Sequence, residues 1–530
     1  MSTGETKLLK NSFGVALATL ASRILGLLRV RLEALALGGG QTASIWFLAL
    51  MIPNLFRRLL GEGALGTALI PLIAESEKHS GISEARLHLA QVLSLLGALL
   101  ALIVVIFSGG AWIFGKTAFY FDSEFLHSGR FLGVCELLPL LMPYAFFICL
   151  TGVIGAVLNY AGLFVRPALT ALFFNLALIS GLAAGVWLQL TPENLLKLLA
   201  VLTPAAGAVQ LLLMLWMLKI CGRFPVFSKD AFRNFSMSLN VVKLATPGLI
   251  GYGVLQLSFL IDRTLAAYLG NRAVPALTYV DRIVDLPIGL FAVSLGSVLM
   301  ASMTRAAAEN DFEAMRSQLN FSLRHVWFIC APMAAAVIFF HTEILRVLCL
   351  GGKYTLEDLD ATRLVAVFYG LGIPFFCSLK VILPAFYSRK DMKRPFYVSL
   401  LAITVNLILN LILMFPLQQG GLALATVIAS LTNNTVLLVL LARDGFKLNF
   451  AAVISCVKSA VTAVLAALPV YFALPWLRNI FTFSTAVIND IFILSAVGAG
   501  FCICYLLLAA VAMSVECREF FSILRRKKHR

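Results

Sequence analysis

The chain has 530 residues, of which 60% are hydrophobic and 13% charged, and its formal net charge is +16. Ordinary soluble domains carry about 25% charged residues and single cores stop growing at roughly 250 to 300 residues, so this composition excludes a water-soluble globular protein. Inside lipid only helices or closed barrels satisfy their own backbone, and the long apolar runs specify helices: an all-α polytopic membrane protein.

The chain starts MSTGETKLLKNS, and the apolar stretch behind it is interrupted by Arg23, Arg29 and Arg31 with no small-residue cleavage site, so no cleaved signal peptide is expected. A crossing needs about 20 apolar residues. In chain order the candidates fall at 12–37, 42–74, 88–115, 131–158, 164–190 and 195–220, then at 240–269, 274–304, 323–349, 361–387, 395–416 and 420–442, and finally at 452–475 and 488–514. That makes about fourteen spans, arranged as an N-terminal lobe over 1–225, a C-terminal lobe over 226–445, and two further helices with a basic tail over 446–530.

The positive charge falls on alternate connections. Lys219, Arg223, Lys229, Arg233 and Lys243 lie in one, Arg389, Lys390, Lys393 and Arg394 in another, and Arg525, Arg526, Lys527, Lys528 and Arg530 in the tail. GGGQT at 38–42 and PLQQGG at 416–421 carry none, and the segment at 353–360 is net acidic. By the positive-inside rule both termini are cytoplasmic, which accounts for the basic excess without a nucleic-acid partner. The expected location is the bacterial inner (cytoplasmic) membrane, with membrane lipid as surroundings.

The chain also repeats itself at an offset of roughly 230 residues. LGTALIPLIAE (65–75) falls on LGSVLMASMTR (295–305), and AVLNYAGLFVRP, ending at Pro167, falls near AFYSRKDMKRP, ending at Pro395. A parallel repeat of this length relates two helical bundles around an axis along the membrane normal, with a substrate cavity between them, as in transporters.

An ionised side chain near the bilayer centre costs about 2.5 to 3.5 kcal/mol, so it faces a watery cavity or a partner. Such charges gather in the opening helices of each repeat: Arg23, Arg29, Arg31 and Glu33; Arg57, Arg58 and Glu62; Asp262 and Arg263; Asp281, Arg282 and Asp285. Arg29 with Glu33 and Arg58 with Glu62 are four apart, and Arg282 with Asp285 three apart, which permits pairing along one helix face. Arginines nonetheless exceed acids, and Arg23, Arg57 and Arg263 have no carboxylate at such spacing. A cationic cavity of arginines suits phosphate oxygens, because the planar guanidinium binds them two at a time. Pro53 and Pro287 interrupt their helices and free backbone groups for a cavity, which marks both as candidate gates.

Other chemistries lack their residues. The ten cysteines are scattered without a C-x-x-C pair, and the six histidines without H-E-x-x-H, so neither a metal site nor a cofactor is expected. GGKYT (351–355) lacks the first glycine and the hydroxyl residue of a phosphate loop. A membrane enzyme acting on polyprenyl phosphates needs carboxylate clusters or metal ligands at the membrane edge; the acidic group Glu357, Asp358 and Asp360 lies on the outer side in this topology.

SRILGLLR (22–29), IPNLFRRLLGEGALGTALIPLIAE (52–75), DRIVDLPIGLFAVSLGS (281–297), GGKYT (351–355) and FYSRKDMKRP (386–395) together resemble the MurJ (MviN) lipid II flippase family. The resemblance runs in order through twelve helices and extends to the last two. It implies a fold of the multidrug/oligosaccharidyl-lipid/polysaccharide exporter superfamily. The implied substrate is lipid II, the undecaprenyl-pyrophosphoryl-MurNAc-pentapeptide-GlcNAc precursor of peptidoglycan, carried to the periplasmic leaflet by alternating access. It also implies that Arg23, Arg29, Arg57 and Arg282 line the cavity and hold the pyrophosphate, and that Glu62 pairs with the second-helix arginine. Arg263, Asp262, Asp281 and Asp285 take supporting or coupling roles, and the last two helices form a groove for the prenyl tail. Cell-wall synthesis machinery is the partner such a role suggests. Val30, Ser44 and Met51 stand where many relatives have aspartate, an acid and lysine, and Arg263 is an additional charge that can compensate for Met51. The nearest rival is a drug or cation antiporter of the same superfamily, which requires a cavity carboxylate such as Asp281 or Asp285.

Overall fold

The computed structural model describes residues 3–61, 64–120, 128–227, 236–446, 448–481, 485–512 and 516–517. Within these the chain is helical. In order the helices are α1 (Thr3–Leu37), α2 (Gln41–Phe56), α3 (Ala64–Ser80), α4 (Ile82–Thr117), α5 (Gly129–Leu141), α6 (Pro143–Tyr160), α7 (Val165–Trp187) and α8 (Pro192–Ile220). There follow α9 (Ser236–Leu269), α10 (Ala273–Pro287), α11 (Val293–Ala308), α12 (Phe312–Leu348), α13 (Leu356–Tyr387), α14 (Lys393–Arg443), α15 (Phe450–Ile480) and α16 (Ala486–Val511). Among the described residues eleven helical stretches are long and apolar enough to cross a membrane. The helices fall on the segments that apolar length marks out, with three segments interrupted. The pair 395–416 and 420–442 runs together as α14, broken at Gln418, whose φ of 49° and ψ of −133° are not helical.

Two interruptions share one cause. Pro53 lies in the last turn of α2, and a wide π-helical turn, Arg57–Gly61, follows; Pro287 ends α10 and an equivalent turn, Ile288–Ala292, leads into α11. Proline has no N–H and its ring crowds the carbonyl four residues back, so the helix widens to re-pair its backbone. The third interruption, between α5 and α6, also has proline at the restart, Pro143.

By contact the chain divides into two units, Met1–Arg263 with Gly352–Tyr354, and Thr264–Gly351 with Thr355–Arg530. The division falls inside α9, and the second unit includes α15 and α16.

In the first unit α1 packs along α7, α6 along α8, and α5 against α2 and α4. Leu69, Leu89, Ile154 and Leu218 fill one core, and Trp46, Leu141, Leu182 and Leu199 another. Glycine permits the closest approach: a Cβ on Gly152 of α6 would lie 2.2 Å from the carbonyl oxygen of Gly61. At the unit's polar end Arg223 binds both carboxylate oxygens of Glu77 at 2.7 Å and lies over Tyr160 at 5.2 Å, while Arg86 Nε donates to the Phe224 carbonyl at 2.7 Å.

In the second unit α13 is central, packed on α10, α11, α12 and α14. A Cβ on Gly296 of α11 would stand 2.5 Å from the Lys380 carbonyl oxygen of α13. Phe328, Phe340, Ala463, Ala467, Val497 and Phe501 join α12 to α15 and α16. Ion pairs fasten the same three helices toward both ends: Glu343 to Arg478 at 2.5 Å, Arg346 to Asp490 at 3.8 Å, and Arg324 to Glu516 at 2.6 Å. Glu516 also accepts from Ser455 at 2.5 Å. Burial alone would raise its carboxyl, but the hydrogen bond from Ser455, its own backbone N–H and Arg324 outweigh burial and hold it below the usual range. In α14 the buried amide of Asn410 donates to Asn406 Oδ1 one turn back at 3.1 Å, and Asn406 Nδ2 donates across the break to Thr426 Oγ1 at 3.4 Å, as polar residues between membrane helices do.

Candidate functional site

The first unit collects Arg23, Arg29, Arg57, Asp262 and Arg263, together with Pro53; the second holds Asp281, Arg282, Asp285 and Pro287. Glu62 lies outside the described residues.

Arg29 is committed inside the first unit. It is 8% exposed, its Nε lies 3.5 Å from Glu33 Oε1 one turn on, and its guanidinium faces the Phe174 ring at 5.3 Å. Trp46 of α2 donates its indole N–H to the same Glu33 oxygen at 3.4 Å. The helical i,i+4 spacing produces the ion pair, and an aromatic face and an indole N–H complete the shell that a buried charge pair requires. Arg23 stands half-buried on the same helix, beside Ser22, whose carbonyl takes the Asn175 amide at 3.2 Å.

Arg57 and Arg58 open the wide turn after Pro53 and point to different neighbours. Arg57 Nε donates to Asn54 Oδ1 at 3.1 Å. Arg58 lies over Phe259 of α9 at 5.1 Å, and Arg263, 4% exposed, lies over the same ring at 5.0 Å. Two guanidinium groups therefore share one aromatic platform. A ring face attracts each cation. Phe259 precedes Arg263 by four residues, a spacing that sequence reading could have used to pair them. Phe174 and Trp46 carried no such signal, since both sit in unbroken apolar runs.

In the second unit Asp281 and Arg282 are half-buried on α10 and Asp285 is exposed two residues before Pro287. Pro53 and Pro287 are both buried; Pro287 immediately precedes a wide turn and Pro53 lies four residues before the start of one, where the sequence anticipated a break. Val30 and Ser44 are buried in α1 and α2. No group of three or more histidine, cysteine, aspartate or glutamate side chains able to hold a metal occurs among the described residues.

Comparison with known proteins gives this arrangement a family. The chain is 31% identical over 449 residues to a probable lipid II flippase MurJ of Rhizobium tropici, covering 83% of this chain and 81% of that one. It is 29% identical over 432 residues to the lipid II flippase MurJ of Burkholderia cenocepacia, covering 81% and 82%. A solved structure of lipid II flippase MurJ in an inward closed conformation superposes with a TM-score of 0.74 at 24% identity, covering 94% of this chain and 98% of that one. An inward-facing multidrug resistance MATE transporter of the MOP superfamily superposes with 0.62 at 14% identity, covering 81% and 98%. At these identities the structural likenesses establish the fold alone. The family model for lipid II flippase MurJ matches residues 34–497, and the chain belongs to the MurJ lipid II flippase family.

Proposed function

We propose that this chain is a transporter that carries lipid II from the cytoplasmic to the periplasmic leaflet of the inner membrane. The observation that carries the reading is the family match across residues 34–497, joined to a first unit rich in arginine on α1, on the turn after α2, and on α9. Arginine holds a phosphate oxyanion with a charge fixed at any physiological pH, which is what a pyrophosphate headgroup needs in a partly dehydrated cavity.

In this reading Arg23, Arg29, Arg57 and Arg282 line the path of the headgroup and Glu62 steadies Arg57. Arg263 supplies the charge that Met51 does not, and Asp262, Asp281 and Asp285 tune or couple the cycle. The breaks at Pro53 and Pro287 act as gates while two lobes, 1–225 and 226–445, alternate access. The prenyl tail lies along the helices of 446–530. Both termini are cytoplasmic, and the periplasmic product is handed to the cell-wall synthesis machinery.

The test is to deplete a bacterium of its own lipid II flippase, express this chain, and follow survival and precursor accumulation. Rescue by the parent, and loss of rescue in Arg57→Ala and Arg282→Ala at matched membrane levels, supports the reading. A parent that inserts fully but leaves lipid II on the cytoplasmic side overturns it in favour of the antiporter, with Asp281 and Asp285 as the residues to examine.

A further inference from the structure

The second unit holds, at one end, a cavity of about 480 Å³ lined by Phe312, Arg389, Asp391, Arg394, Asp444 and Phe446. The transport reading has no use for it. Its walls are the start of α12, the turn between α13 and α14, the first turn of α14, and the segment just past the end of α14. These are the ends of helices long and apolar enough to cross a membrane, so the cavity lies where the bilayer meets water. Exposed apolar side chains flank it, with Met392 67%, Tyr397 65% and Phe312 54% exposed.

Its charges are arranged unusually. Arg389 Nη1 and Arg394 Nη1 both donate to one oxygen, Asp444 Oδ2, at 2.9 and 2.6 Å. Arg389 Nε is taken by the Ala385 carbonyl at 3.0 Å, and its guanidinium lies against Phe446 at 4.6 Å and Phe386 at 5.5 Å. Asp391 accepts the Arg394 backbone N–H at 3.2 Å and stands 3.5 Å from Arg394 Nε. Arg389 Nη2 is buried without a hydrogen-bond partner, whereas Arg394 is 47% exposed and turns Nε and Nη1, two of the three nitrogens that carry its five N–H donors, to these carboxylates. Burial alone would raise the Asp444 carboxyl, but the two arginines outweigh it and keep it below its ordinary range.

Two cations and two anions thus wall one cavity. A bare anion would meet Asp391 and Asp444, and a bare cation would meet Arg389 and Arg394; either is penalised by like charge. A ligand carrying both charges meets neither penalty. Its phosphate would take the guanidinium of half-exposed Arg394 in the N-terminal turn of α14, where helix and arginine favour it together, its ammonium would take Asp391, and the phenyl rings would cover the methylenes between. The repeat-related turn of the first unit lacks this arrangement: it reads NYAGLFVRP, and Arg223, which lies over its Tyr160, is occupied by both oxygens of Glu77.

We infer that this cavity binds a phosphate ester bearing a primary ammonium, the phosphoethanolamine headgroup, presented by a lipid of the adjoining leaflet. The inference is independent of what the transporter carries.

Native mass spectrometry of the full-length purified chain titrated with phosphatidylethanolamine, phosphatidylglycerol and phosphatidylcholine tests it. Phosphatidylethanolamine should bind about tenfold more tightly than either of the others, since phosphatidylglycerol lacks the cation and phosphatidylcholine lacks N–H donors. Asp391→Asn should erase the preference by weakening phosphatidylethanolamine alone, and Arg394→Gln should weaken both phosphatidylethanolamine and phosphatidylglycerol. Equal affinity for the three lipids in the parent overturns the inference whether or not the variants fold, as does an undiminished preference in a folded Asp391→Asn. Soluble O-phosphoethanolamine separates the sources. Displacement of lipid only at large excess supports a membrane lipid, and binding as tight as the lipid's overturns the lipid assignment in favour of a water-soluble ester.

Discussion

In the first unit the wide turn after Pro53 carries Arg57 and Arg58, whereas in the second the wide turn after Pro287 runs Ile288–Ala292 without a charge. Both follow a buried proline, and a glycine beside each break permits close backbone contact, Gly152 against Gly61 in one and Gly296 against Lys380 in the other. The break is therefore common to the two repeats, and the charge is a property of one. Helix mechanics explains the shared feature; the difference is one that the proposed headgroup path rests on.

The comparison can be pressed hardest at Arg29, where the first unit buries charge. Arg29→Ala leaves Glu33, 3% exposed, without its cation, and losing one member of a buried pair costs about 3 to 5 kcal/mol. A lowered melting temperature should report it, and the double variant Arg29→Met with Glu33→Gln should recover most of the stability. If the double variant transports as the parent does, the charge serves stability alone.

A smaller effect tests whether the two breaks share one packing rule. Gly152→Ala and Gly296→Ala each force a Cβ against a carbonyl oxygen, at 2.2 and 2.5 Å before relaxation, and overpacking of this kind costs about 1 to 3 kcal/mol. Thermal denaturation should show comparable losses in both; a loss in only one would show that the breaks are packed differently.

The prolines should then separate the units. Pro53→Ala restores the backbone donor and lets α2 run on, turning Arg57 and Arg58 away from their neighbours, so lipid II flipping should fall about tenfold, equivalent to about 1.4 kcal/mol of barrier. Pro287→Ala straightens an uncharged turn and should cost less. Equal losses would assign the breaks a purely mechanical role.

The smallest effect is one of pH and confined to the second unit. Asp444 and Glu516 have folded values held below their unfolded ones, which lie near about 3.9 and 4.3. Their stabilisation is present above those unfolded values and is lost as pH falls through the folded ones. The melting temperature of the parent should stay level from neutral pH to about 5 and decline below, and Glu516→Gln should flatten part of that decline.

Much of this architecture was legible in the sequence because membrane helices announce themselves by length and apolarity, and because Pro53 and Pro287 mark breaks that lie in matching places. The Arg29–Glu33 pair followed from spacing alone. What sequence could not show is what lies across from a residue: Phe174 and Trp46 look like any lipid-facing aromatic, and Arg223 with Glu77 or Arg324 with Glu516 join positions far apart in the chain. The turn at Arg389–Arg394 read as a topology signal, and only folding brings Asp444 to it. Phe259 differs only in that its four-residue spacing from Arg263 held a signal that the sequence reading did not use.

The most direct measurement is lipid II flipping in reconstituted vesicles by the parent and by Arg57→Ala, Arg58→Ala and Arg282→Ala proteins of equal melting temperature, with Arg363→Gln, exposed beside Asp360, as a control. The account predicts a fall of about tenfold or more in the first three and parental rates in the control. Parental rates in all four would contradict it, because the arginines would then hold no pyrophosphate.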